Sequence, residues 1–249
     1  MISRRVLKND LALRAARRLP RPVRERVKGW ALGRPRPRWG NFRRTSPFSE
    51  RYGWDRGTPV DRVYIERFLA DRGADIRGEV LEVRDSGYTH RFGGSAVTGS
   101  HVLDADPENE NATIVADLSQ PASLPVARFD CFIFTQTLQY VADPEAALAN
   151  AWQALAPGGV LLVTVPTIAR VDWPTGFVDL WRWTPAGLSQ LARRAAPGAE
   201  LDVCAYGNLL AATAFLMGLA AEELRKEELD VFDPLFTVVA SARAQKPAR

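Results

Sequence analysis

Two histidines, several acids that each follow a short apolar run, and an Asp–Arg pair among tryptophans are the side chains with chemistry to offer in this sequence. Histidine is the side chain type best suited to proton transfer near neutrality, which makes His90 and His101 the first candidates for taking a proton from an acceptor hydroxyl. Glu82 and Asp104 stand 22 residues apart, close to the spacing of about 20 at which folds that bind nucleoside cofactors offer an acid to ribose hydroxyls. Asp106 is the near alternative, and a solvated turn acid is the plainer reading. Asp117 follows the apolar run 113–116 and also suits an N-cap for the segment opening at Leu118. Asp179 and Arg182 suit an acceptor site, and Trp173, Trp181 and Trp183 suit either stacking on a sugar ring or packing a lid. His90 and His101 lack the companion spacing of a zinc site. No phosphate loop of the Gly-x-x-x-x-Gly-Lys-Ser/Thr type and no Gly-x-Ser-x-Gly elbow is present.

The elements that must position these groups alternate strand and helix, the pattern of a parallel sheet. Helices are expected at 60–70, 144–155, 186–195 and, as one long element, 209–229. Strands are expected at 79–83, ending at 102–103, at 113–116, 129–135, 160–165, 201–206 and 236–242. Pro157-Gly158-Gly159 reads as a turn between the second of these helices and the fifth strand. Seven strands of this kind imply one open, Rossmann-like, mostly parallel α/β sheet with helices on both faces and the last strand antiparallel. Ligands on such sheets bind beyond the carboxyl ends of the strands, where strand order reverses. The loops after Val83, Leu103, Ala116 and Thr135 are therefore where chemistry belongs.

The 249 residues are 46% hydrophobic and 25% charged, which suits an ordinary globular domain with an appendage. The net charge of +4 hides an asymmetry. Residues 1–51 carry 16 Lys/Arg against three acids, a net +13, and the remainder carries 17 against 26, a net −9. Domain organisation follows: a basic Arg/Pro-rich arm over 1–50 and a folded domain over 51–249. Within the arm, Leu7, Leu11, Ala15 and Leu19 predict one short basic helix stopped by Pro20 and Pro22, followed by an extended, mobile Arg34-Pro35-Arg36-Pro37-Arg38. Such an arm suits an anionic membrane surface or an acidic protein through residues 1–45, or a loose dock on its own acidic body. Nucleic acid is disfavoured, because no nucleic-acid-binding motif accompanies the charge. Ser3-Arg4-Arg5 resembles an export signal superficially, but Asp10, Arg14, Arg17 and Arg18 interrupt the apolar stretch that should follow. No apolar run approaches the roughly 20 residues of a membrane span. The expectation is a cytoplasmic protein, with peripheral contact to a membrane. Cys131 and Cys204, both inside apolar runs, read as small buried hydrophobes.

Phe129-Asp130-Cys131-Phe132-Ile133-Phe134-Thr135, then Asp143-Pro144, then Leu155-Ala156-Pro157-Gly158-Gly159-Val160-Leu161-Leu162-Val163-Thr164-Val165-Pro166 resemble the class I S-adenosylmethionine (SAM) methyltransferases. Asp179-Leu180-Trp181-Arg182-Trp183-Thr184-Pro185 resembles the segment before the next helix in that family, and the resemblance covers roughly residues 56–244. Within the superfamily the chain looks like a bacterial, type 11-like branch often found near glycosyltransferases. The words that match are Arg56-Gly57-Thr58-Pro59-Val60-Asp61-Arg62, Tyr88-Thr89, Arg91-Phe92-Gly93-Gly94 and Tyr206-Gly207-Asn208.

The resemblance implies SAM as cofactor, S-adenosylhomocysteine as product, and a small-molecule or saccharide-related acceptor. It places Glu82 at the methionine end, Asp104 on the ribose diol, Asp117 on the adenine amino group, and Gln136 and Thr137 near the methionine and the transferred methyl. Where the family has Gly-x-Gly-x-Gly, this chain reads Arg84-Asp85-Ser86-Gly87-Tyr88-Thr89, and only Gly87 remains. Asp85, Ser86 and Gly87, with Gly93-Gly94, would then form the cofactor cradle. His90 is the favoured base, and Asp179 and Arg182 complete the candidate catalytic set. The alternative is a non-catalytic, methyltransferase-like scaffold in glycan assembly. A nicotinamide-dependent oxidoreductase is disfavoured by the Pro-Gly-Gly block and the late strand pair.

Overall fold

A computed structural model describes residues 19–31, 40–172 and 178–248. The expected helix over Leu7 to Ala15, the Arg34–Arg38 stretch and Trp173 lie outside these residues. The chain divides into two compact units, residues 1–45 and 46–249. In the first, α1 spans Arg21–Ala31. Pro20 and Pro22 stand at the opening of this helix. Pro22 occupies the first turn, where a missing N–H costs nothing, and the Pro20 carbonyl accepts from Val23 and Arg24 N–H.

The second unit runs α2 (Val60–Asp71), β1 (Gly78–Val83), β2 (Val97–Asp104), β3 (Ile114–Val115) and β4 (Phe129–Thr135). It continues with α3 (Pro144–Ala154), β5 (Leu155–Pro166), α4 (Pro185–Ala195), β6 (Glu200–Tyr206), α5 (Leu209–Leu216), α6 (Lys226–Asp230) and β7 (Val239–Gln245). One seven-stranded sheet has the order β3-β2-β1-β4-β5-β7-β6. The strands β1 to β5 are mutually parallel, and β7 pairs antiparallel with both β5 and β6. The order reverses between β1 and β4, so the crevice predicted from the sequence opens there.

Both faces of the sheet are buried, which is why the central strands read as unbroken apolar runs. In β4, Phe132 and Phe134 join Leu148, Trp152, Leu188 and Leu191 on one face. Cys131 and Ile133 point the other way, into Val60, Tyr64, Phe68 and Phe215. The helices are closed locally: Asp143 caps α3, Thr184 caps α4 and Asn208 caps α5, each through its side chain.

Three elements differ from expectation. The strand β5 begins at Leu155, which pairs with Phe129, so Pro157-Gly158-Gly159 forms an irregularity inside the strand, with Gly158 at φ 81°. The helix expected over 209–229 breaks after Leu216. There Gly218 turns left-handed (φ 69°) and Ala220 bridges Pro59, before a single turn at Ala221–Glu223 leads to α6. The closing strand starts at Val239, three residues late, because the chain is still turning at Asp233–Phe236, where Phe236 N–H donates to the Asp233 carbonyl. Among the described residues, no helix is long and apolar enough to cross a membrane.

Candidate functional site

The loop after β1 is closed from beneath. Glu82 is buried, and its carboxylate accepts from Tyr88 N–H (3.1 Å), Thr89 N–H (2.7 Å) and Thr89 Oγ1–H (2.7 Å). Burial pushes its pKa up against those three donors. Above it, Arg84 holds a left-handed backbone at φ 78°, and the Gly87 N–H donates to Asp85 Oδ1 at 2.8 Å. Such a φ favours glycine, so the turn keeps a glycine course while carrying a long side chain.

Beside this loop, β2 ends at Asp104, whose Oδ1 accepts from Asp106 N–H (3.0 Å) and whose Oδ2 accepts from Asn109 Nδ2 (2.7 Å). The same Asn109 amide donates to the Arg84 carbonyl at 2.8 Å, tying the two strand ends together. Asp117, after β3, accepts from Ser119 N–H and Oγ–H, and those bonds hold its carboxyl below the usual range. After β4, Gln136 is also left-handed (φ 44°), and its carbonyl accepts from Gln139 Nε2 at 2.8 Å. Thr137 Oγ1–H returns to the Thr135 carbonyl at 2.9 Å.

A cleft of about 230 Å³ opens where these ends meet. Arg84, Gln136, Gln139 and Pro166 line it from the strand side, and Tyr52, Trp54, Asp61 and Arg62 from the segment leading into α2. Asp172, Asp179 and Arg182 close it from the connection after β5. Asp179 and Arg182 form a two-pronged ion pair, with Nη2 to Oδ2 at 2.7 Å, and Arg182 also donates to the Arg170 carbonyl. Burial works against the Asp179 charge, but Arg182, the Asp172 N–H and Arg170 together outweigh it and hold the carboxyl below its ordinary value. The Arg170 guanidinium lies 4.0 Å from the centre of the Tyr52 ring, and Tyr140 donates to Asp172 at 3.0 Å. Burial pushes Tyr140 up to about 12 and Tyr52 further still. Both phenols therefore stay protonated at neutral pH.

Two acceptors at this cleft receive no hydrogen bond from the described residues, Asp61 Oδ1 and Gln139 Oε1. Of the residues singled out from the sequence, Gln136, Asp179 and Arg182 are brought together here. Glu82, Asp85, Ser86, Gly87, Asp104, Asp117 and Thr137 stand around the strand ends without lining the cleft, their bonds made mostly within their own loops. His90 is exposed in the wide helical turn Thr89–Gly93 and does not line the cleft, while His101, on β2, is bonded to Glu79 at 2.8 Å. Sequence reasoning passed over Tyr52, Gln139 and, as functional groups, Asp61 and Arg62. The one available signal was the word Arg56–Arg62, quoted for its likeness and not for its chemistry. Among the described residues, no group of three or more metal-ligating side chains forms.

Residues 45–196 match the profile of a family described as methyltransferase domain. Among solved structures, an S-adenosylmethionine-dependent methyltransferase from Mesorhizobium loti shares 17% identity, with 75% of this chain and 98% of that one covered at a TM-score of 0.48. A SAM-dependent methyltransferase from Archaeoglobus fulgidus shares 13%, with 74% and 94% covered at 0.49. The complex of DhpI with SAH shares 20%, with 76% and 87% covered at 0.48. No match was found among curated proteins.

Proposed function

The chain belongs to the methyltransferase-domain family, whose methyl donor is SAM, and we propose that its acceptor is a small, hydroxyl-bearing molecule of saccharide-like chemistry. The observation that carries this reading is a polar cleft at the carboxyl ends of β1, β4 and β5 in which two buried acceptor oxygens lack a donor. Buried acceptors are costly unless paired, and a ligand with several O–H groups supplies the missing donors.

The cofactor's fit is tested by the turn after β1. Its left-handed residue is retained at Arg84, so the backbone keeps the course that approaches a ligand, with side chains at 84, 86 and 88 narrowing the space. Asp104 and Asp117 would hold the ribose diol and the adenine amino group; each carboxylate oxygen that is bonded retains a second lone pair. Glu82, Asp85, Ser86 and Gly87 shape the turn, and Gln136 and Thr137 would border the methionine end. When bound, SAM supplies a sulfonium-activated methyl group open to in-line displacement. The chain's own share is alignment and exclusion of water. The Asp179–Arg182 pair fixes the connection after β5, Tyr52 and Trp54 cover the cleft, and Gln139 Oε1 orients an acceptor hydroxyl.

A second reading, a non-catalytic scaffold in glycan assembly, is favoured by one feature, the replacement of the glycine turn by Arg84, Ser86 and Tyr88. Calorimetric titration with SAM and S-adenosylhomocysteine separates the two. The enzyme reading expects micromolar binding that Asp104→Ala abolishes, and a flat titration of the intact chain leaves the scaffold. For residues 1–45 the proposed role is peripheral attachment to an anionic membrane surface or an acidic protein.

A further inference from the structure

Asp61 lies in the first turn of α2 and lines the cleft. Its Oδ1 is shut off from solvent with no hydrogen-bond partner among the described residues, and the carboxyl is approached only by the backbone N–H groups of Asp61 and Arg62. A buried carboxylate oxygen left unpaired is destabilising, and native chains retain such a group mainly where function needs it. The neighbouring Arg62 guanidinium donates to the Tyr88 hydroxyl at 2.9 Å and lies 5.7 Å from the centre of the Trp54 ring, and among the described residues it forms no ion pair with Asp61. Gln139, also buried, brings the second orphan oxygen to the same cleft. The other charged groups there are spoken for: Asp179 by Arg182, and Asp172 by Arg170 and Tyr140. Arg62, Arg84, Tyr52 and Tyr140 complete the titratable lining, and burial raises both phenols so that they stay protonated at neutral pH. Among the described residues lining the cleft, Asp61 is thus the carboxylate without an ion pair or a side-chain donor.

We propose that Asp61 is the general base for the acceptor hydroxyl, with Gln139 Oε1 orienting the same hydroxyl or its neighbour. The proposal rests on the methyl-transfer reading. The acceptor oxygen bonds to the methyl carbon as the carbon–sulfur bond breaks, the electron pair stays on sulfur, and the hydroxyl proton passes to the Asp61 carboxylate and later to water. Burial pushes the Asp61 carboxyl upward, with the Arg62 charge pulling partly back, which is the direction that strengthens it as a base.

A raised folded-state pKa gives a stability contribution that is present below the unfolded value and lost as pH rises through the folded one. Asp61→Asn should therefore leave the melting temperature near wild type at pH 4 and raise it by about 2–4 °C at pH 8. A lower melting temperature at both pH values would make Asp61 a structural group and overturn the proposal. In the second arm, labelled SAM is offered with a set of methyl glycosides of neutral and acidic hexoses. Asp61→Asn should bind SAM as wild type does while transfer falls about 10²–10⁴-fold, with part of the rate restored in Asp61→Glu. Transfer unchanged in Asp61→Asn sinks the base alone. Binding by wild type without transfer to any glycoside sinks the hydroxyl acceptor and the base with it, whereas no binding by wild type sinks the cofactor reading itself.

Discussion

Arg84 is the residue at which backbone and side chain are in conflict. Its φ of 78° is a conformation that disfavours a Cβ by about 1–2 kcal/mol, and its exposed side chain gains little packing in return. Replacement by glycine removes that strain and reintroduces roughly 0.5–1 kcal/mol of unfolded-state entropy. Arg84→Gly should therefore be as stable as wild type or more stable by up to about 1 kcal/mol in urea unfolding, unlike most substitutions. On the proposed placement of SAM it should also tighten SAM binding in calorimetry, because it clears the turn and removes a positive charge from the cleft. Weaker binding in Arg84→Gly would mean that the guanidinium itself contacts the cofactor, for example at its carboxylate.

At the scale of elements, the segment 46–57 depends on the end of α5. Phe48 N–H donates to the Met217 carbonyl at 2.7 Å, and Ser49 Oγ gathers the N–H groups of Arg51 and Gly53. Gly218 permits the contact: it is left-handed, and a Cβ there would collide with the Ser49 backbone. Gly218→Ala should cost about 2–4 kcal/mol in urea unfolding, strain and collision combined, and should loosen Tyr52 and Trp54 over the cleft. The same glycine explains what the sequence concealed. Residues 209–229 are rich in Leu, Ala and Glu and look like one helix, and only the contact with Ser49, some 170 residues earlier, makes a single glycine decisive. Strands β4 and β5 were legible because burial on both faces leaves an apolar run that needs no partner to be recognised. Asp104 and Asp117 were legible as strand-end acids for a similar reason. Asp61 and Gln139 were not, since each looks ordinary in its own helix or turn and their shared cleft arises only when the start of α2 meets the residues that follow β1 and β4.

At the scale of the whole molecule, the boundary at Thr45 and Ser46 separates the basic arm from the unit that contains the cleft. A chain beginning at Ser46 should keep the melting temperature and SAM affinity of the full chain while losing co-sedimentation with anionic vesicles. Equal sedimentation of the two forms would discard the membrane role for the arm, and a large fall in melting temperature would show the units to be interdependent. The strand order carries a separate consequence for biosynthesis. In the finished sheet β6 has β7 as its sole neighbour, and β7 is translated after it. While the ribosome is still delivering residues 207–238, β6 has nothing to pair with, and the outer edge of β5 is equally bare. Completion of the sheet is therefore held back until residues 239–245 emerge and slot between two waiting edges, so a stall or premature stop in that stretch leaves both edges open to other chains.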